Sequence, residues 1–155
     1  MGGTLTIATA SRVTAWDGGE TGTIAGPLVG SAALETTGAG RIVISGSAAG
    51  YTGTVTVNAG TLKLDSTLGG GIVVNDNGGM AGEGSVNGAL TLGAALGADL
   101  YVDGSTTAAL GTKDLTVNGM TTVSLTAMPL VAGSAMPVLT YNGTLTMTGT
   151  VAEHF

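Results

Sequence analysis

The chain has no cysteine, so neither a disulfide framework nor a thiolate metal site is open to it. Charge is nearly as scarce: Asp, Glu, Lys and Arg make up 9% of the 155 residues, against a usual share of about 25%. Four cations stand against ten acids, and Arg12, Arg41, Lys63 and Lys113 are scattered, which excludes a basic nucleic-acid surface. Aromatics are 3% of the chain and there is one histidine. No apolar run approaches the roughly 18 residues that a membrane-spanning helix needs. The amino-terminal MGGTLTIATASRVTAWDGG has neither the basic nor the apolar region of a signal peptide, so a signal for export would lie outside this chain. The three prolines, Pro27, Pro129 and Pro137, sit beside turn signals or at strand starts and mark no linker. Helical periodicity is also missing. The nearest approach, GALTLGAALGADL, is interrupted by glycines, and at most one short helical turn is expected.

What is present is glycine, threonine and short apolar runs. There are 29 Gly and 26 Thr, while hydrophobic residues reach 43%, enough apolar surface for an ordered core despite the low complexity. Runs such as RIVIS, TVTVN, TLKLD, GIVVN, DLYVD and TLTMT are bounded by Gly, Asn, Asp or Ser, which reads as an array of strands and turns. In YTGTVTVNAGTLKLDS the alternation slips phase. Val55 and Val57 fall on odd positions, Leu62 and Leu64 on even ones, so one straight strand would put them on opposite faces. The chain must therefore turn at Asn58-Ala59-Gly60.

Similar turn residues recur at Asn75 to Gly78, Asn87-Gly88, Asp103-Gly104, Asn118-Gly119 and Asn142-Gly143, at unequal steps. Asn and Gly tolerate the left-handed backbone of a tight corner. The candidate structural corners are thus Asn58, Gly60, Asn75, Gly78, Asn87, Gly88, Asp103, Gly104, Asn118, Gly119, Asn142 and Gly143. Two architectures fit: a solenoid whose turns accept insertions, or an antiparallel β-sandwich of Asn-Gly hairpins, with DLTVNGMTTVSLT a candidate hairpin.

One resemblance favours the solenoid. Ile24, Gly26, Leu28 and Gly30, then Leu34, Gly38, Gly40, Ile42, Ile44 and Gly46, then Tyr51, Gly53, Thr54, Val57, Gly60 and Leu62, and finally Gly79, Gly82, Gly84, Val86 and Gly88 follow one pattern in order. That pattern is similar to the passenger-associated transport repeat, or autotransporter-associated β-strand repeat, of bacterial surface proteins. Glu35-Thr36-Thr37 departs from it where a Lys is common, and Val55 where a second Thr is usual. The resemblance spans residues 22–93; residues 94–155 read as less regular coils. It implies an all-β, right-handed parallel β-helix of about seven coils, with 1–155 a single segment of a longer passenger. It further implies a location that is secreted or on the surface of a Gram-negative-type bacterium. The implied role is a non-catalytic stalk or adhesin segment that supports passenger secretion and folding and meets a surface glycan or another host or cell-surface ligand. The unpaired backbone groups at the ends of such a coil add homo-association through coil ends or strand faces.

The chemical inventory agrees with a non-enzymatic role. His154 is the penultimate residue, remote from any evident nucleophile arrangement. Asp99 and Asp103, on one face of a strand in ADLYVDG, are the nearest approach to a carboxylate pair and read as solvated acids near a turn. Asn75 to Gly79 offers oxygen ligands but lacks the repeated pattern of calcium-binding coils, and GEGSVNG has no following Lys and Ser or Thr for a phosphate loop. No catalytic, metal or cofactor site is expected. Asn142-Gly143-Thr144 matches a glycosylation acceptor, a triplet that chance supplies in a Thr-rich chain. Trp16 is read as covering an open coil end, with sugar stacking as the other use. The alternative function is a β-helical carbohydrate-binding or polysaccharide-degrading module, which would bring acidic and aromatic side chains together along one outward face.

Overall fold

A computed structural model of the chain describes residues 3–103, 110–126, 137–148 and 150–154, and none of these is helical. The strands follow one another as successive turns of a coil. The first turn holds β1 (Leu5–Ile7), β2 (Ser11–Thr14) and β3 (Thr21–Ile24), and the second β4 (Leu28–Gly30), β5 (Leu34–Thr37) and β6 (Arg41–Ile44). Next come β7 (Thr54–Val57) and β8 (Gly60–Leu64), then β9 (Thr67–Leu68), β10 (Gly71–Val74) and β11 (Gly78–Ala81). The later turns hold β12 (Ser85–Leu92) with β13 (Asp99–Asp103), β14 (Leu110–Val117) with β15 (Met120–Thr126), and last β16 (Leu139–Tyr141), β17 (Leu145–Met147) and β18 (Thr150–His154).

Every strand pair among the described residues is parallel, and each strand pairs with its equivalent one turn on. The molecule is a parallel β-helix, and the hairpin alternative is wrong. In DLTVNGMTTVSLT the two runs belong to β14 and β15, which lie in different sheets. One long face stacks β2, β5, β7, β10, β12, β14 and β17; another stacks β3, β6, β8, β11, β13, β15 and β18. The third face is shorter. It is built by the β1–β4 pair, by single bridges at Gly30–Tyr51 and Ala48–Leu68, and then by β9, the first residues of β12 and β14, and β16.

Stacking puts like over like. Leu34, Val55, Ile72, Leu90, Leu115 and Leu145 form one inward column, and Ile42, Leu62, Met80, Leu100 and Val123 another. Leu34, Val55, Leu62, Ile72, Met80 and Leu90 are fully buried. Each such side chain contributes ~1.5–3 kcal/mol by leaving water. Tyr51 stands in the core where the third face lacks a strand, with Oη donating to the carbonyls of Ala32 (2.7 Å) and Thr54 (3.1 Å). Gly53 leaves room for that hydroxyl, since a Cβ there would meet Oη at 2.7 Å.

The phase slip is accommodated by one glycine. Val55 and Val57 point inward from β7, Leu62 and Leu64 from β8, and Gly60 between them has φ 70°. A side chain at Gly60 would also overlap the Gly40 carbonyl oxygen of the preceding turn. Gly60→Val is therefore expected to destabilise the protein by ~2 kcal/mol or more, through left-handed strain and steric overlap together. Thr36 predicts the opposite sign. It lies between Val13 and Val57 in an inward column, is buried, and its Oγ1 has no hydrogen-bond partner among the described residues. Thr36→Val, nearly isosteric, should stabilise by ~1 kcal/mol, and urea denaturation of both variants checks the pair.

Candidate functional site

The corner between the two long faces collects half of the turn residues singled out in the sequence. Asn58 precedes β8, Asn75 to Asn77 precede β11, and Asn118-Gly119 precede β15. Asn75 Nδ2 donates to Asn58 Oδ1 at 2.7 Å, a two-rung amide ladder. Asn118 Nδ2 reaches the Gly93 carbonyl at 3.1 Å, and its Oδ1 accepts from Thr148 at 2.6 Å. Gly60 and Gly119 have positive φ; at Asn75 to Gly78 it is Asn77, with φ 78°, that takes the left-handed conformation.

The other turn residues lie elsewhere. Asn142-Gly143 separates β16 from β17, at the opposite corner. Asn87 and Gly88 are not between strands: they lie inside β12, at the register shift between Val86 and Ala89. There two residues of β12 oppose Lys113 alone, which makes a β-bulge stacked over the Gly69-Gly70 corner below. Asp103 closes β13, and Gly104 lies outside the described residues.

No short-range pattern marks what Asp76 does. Its Oδ1 accepts four consecutive backbone amides from the next turn, those of Ala94 (2.8 Å), Ala95 (2.9 Å), Leu96 (2.9 Å) and Gly97 (3.1 Å). Converging amides of this kind make an anion nest, here filled by the protein's own carboxylate. Asn75 and Asp76 of the NDNGG segment thus both hold the coil together. Among the described residues no group of three metal-ligating side chains converges.

Acids and aromatics meet at one place on the outside of the second long face. Asp99 accepts a hydrogen bond from Tyr101 Oη at 3.2 Å, and the Tyr101 ring crosses Gly79, where a Cβ would meet it at 2.6 Å. Burial raises the Tyr101 pKa, the Asp99 charge and hydrogen bond raise it further, and Arg41 lowers it. The tyrosine occupies the ground above Gly79. His154 ends β18, with the register placing it opposite Ser124. Trp16 is 77% exposed at the corner after β2 and does not cover a coil end; its loop is held by Glu20 Oε2, which accepts from the Trp16 and Asp17 amides.

A groove of about 380 Å³ on the third face, with hydroxyl, amide and ammonium groups set among apolar surface, was not anticipated. It is lined by Ser85 and Asn87, by Gly111 and Lys113 one turn on, and by Thr140, Tyr141 and Asn142 beyond. Ser85, Gly111 and Thr140 stack in register, so Gly111 leaves a notch in a row of hydroxyls that begins at Thr67. The available signal was a glycine at an outward position between two hydroxyl-bearing strands. Searches against protein-family models, curated proteins and solved structures return no match.

The Asp76 clamp has a defined pH dependence. The Ala95 amide is the largest influence on its carboxyl; desolvation opposes it, and the amides of Ala94, Gly97 and Leu96 add to it, so the pKa falls below its ordinary 3.8. A depressed folded-state pKa means that the clamp contributes fully above the ordinary carboxylate range and is lost as pH falls through the lowered value. The amide resonances of residues 94–97 should titrate together with a midpoint below 3.8. Asp76→Asn should abolish that shared transition.

Proposed function

We propose that this chain is a non-catalytic structural segment of a secreted, autotransporter-like surface protein, a stalk that assists passenger folding and export and associates through its edges. The observation that carries this reading is the pairing pattern. Every interior rung is hydrogen-bonded above and below, whereas β1, β2 and β3 at one end and β16, β17 and β18 at the other each have a partner on one side only among the described residues. At the second end Leu145 and Met147 continue buried columns yet are 39% and 51% exposed, over an apolar cavity of about 290 Å³. Unprotected strand edges of this kind accept another strand. Neither β1 nor β17 contains a charged residue or proline to prevent it.

In a longer polypeptide further coils would meet these edges, and the same complementarity would let folding spread from rung to rung during export. Sedimentation across a wide concentration range is expected to show reversible growth in size. Substituting Thr6→Pro in β1 or Met147→Pro in β17, positions whose amides face the free edge, should remove that growth while the interior rungs keep their β signal in circular dichroism. A strict monomer at all concentrations would count against edge association.

A further inference from the structure

We infer that the groove around Gly111 is a binding site for an acidic saccharide, a pyranose unit bearing a carboxylate. Failure of glycan binding would leave the scaffold role untouched, since that role rests on free backbone edges at the two ends, whereas the groove is formed by outward side chains of β12, β14 and β16.

Three features converge on this ligand class. The first is shape. Ser85 and Thr140 carry side chains above and below Gly111, and a Cβ at Gly111 would lie 3.6 Å from Ser85 Cβ and from Thr140 Oγ1. The missing side chain thus opens a notch one rung wide without any backbone distortion. A groove of about 380 Å³ falls in the range of small-molecule sites, ~300–1,000 Å³.

The second feature is the donor and acceptor set. Ser85 and Thr140 place hydroxyls at the groove, the first hydrogen-bonded to Thr67 Oγ1 at 3.0 Å and the second donating to the Leu110 carbonyl at 3.5 Å, so that each keeps acceptor capacity, while the exposed Asn87 and Asn142 carry amides that both donate and accept. A sugar ring presents the same mixed chemistry around its rim. The third face brings these residues together because the β12 bulge carries Asn87 out of the alternating pattern, while the β16–β17 corner carries Asn142 to the same level. Tyr141, 46% exposed, is the aromatic ring of the lining and supplies an apolar surface beside the polar groups.

The third feature is charge. The chain carries a formal net charge of −6, yet the groove contains Lys113 and no carboxylate in its lining. Arg12 and Lys63 are each paired with an acid, Glu35 at 2.9 Å and Asp65 at 3.5 Å, whereas Lys113 is exposed and forms no ion pair among the described residues. The adjacent carboxylate, Asp114, has its Oδ1 turned to the Thr144 amide at 2.8 Å. More distant acids are screened beyond a Debye length of about 8 Å at physiological ionic strength. A ligand carboxylate placed at Lys113 would therefore meet a local cation in an otherwise acidic molecule.

Nuclear magnetic resonance titration of the whole chain with trigalacturonate, against a neutral trisaccharide of the same linkage, tests the assignment. Saturable amide shifts confined to 85–87, 111–113 and 140–142 are expected with the acidic probe, and weaker binding of the neutral one. Lys113→Ala should weaken the acidic probe by about fivefold and abolish the preference between the two, as one exposed ion pair allows. Gly111→Val fills the notch at a position where a β-branched residue suits the strand, so binding should disappear with the melting temperature unchanged. The assignment is overturned if trigalacturonate produces no saturable shift, if Gly111→Val binds as the parent does, or if both probes bind equally.

Discussion

Everything in this molecule depends on backbone hydrogen bonds made from one turn to the next in strict parallel register. Once Val55 must sit over Leu34 and under Ile72, the inward column admits only residues that tolerate burial beside their own kind. The outward columns carry the hydroxyls and the few charges. The corners then have to absorb every difference in length between turns, and they do so with glycines at positive φ, with Asn77, and with the loop that Asp76 gathers. A chain with few charges, almost no proline and abundant glycine and threonine meets these demands better than one of average composition.

This division explains what was legible in the sequence. Strand period and the slip between Val57 and Leu62 are local, and they were readable because inward positions repeat a single chemical type. The choice between coil and hairpin was not local. Asn118-Gly119 has the composition of a hairpin turn, and only the pairing of β14 with β12 and of β15 with β13 shows that the chain turns a corner and continues. Asn87-Gly88 misled for the same reason. Its turn chemistry is real, but the adjoining rungs hold both flanks in one strand, and the extra residue becomes a bulge. Features made between turns, the Asp76 clamp and the Gly111 notch, involve residues that stand 18 or more positions apart and have no short-range signature.

The same architecture separates the core from the outer surface. Buried columns can be tuned, as at Thr36, without altering an outward row. An outward row can lose one side chain, as at Gly111, without disturbing the column behind it. Turns of unequal length allow the outer surface to vary from level to level while the core stays uniform, so one scaffold can carry a clamp at one corner and a groove on another face.

The direction of the inter-turn bonds also sets how the protein bears load. In a parallel β-helix they run along the coil axis, so a pull on the two chain ends does not shear a whole sheet at once. It loads the rungs in series. Under tension the end turns peel away one after another, each releasing about 3.3 Å of contour per residue while the remaining rungs stay closed. A coil built this way lengthens in steps and re-forms by rewinding onto the edge that remains.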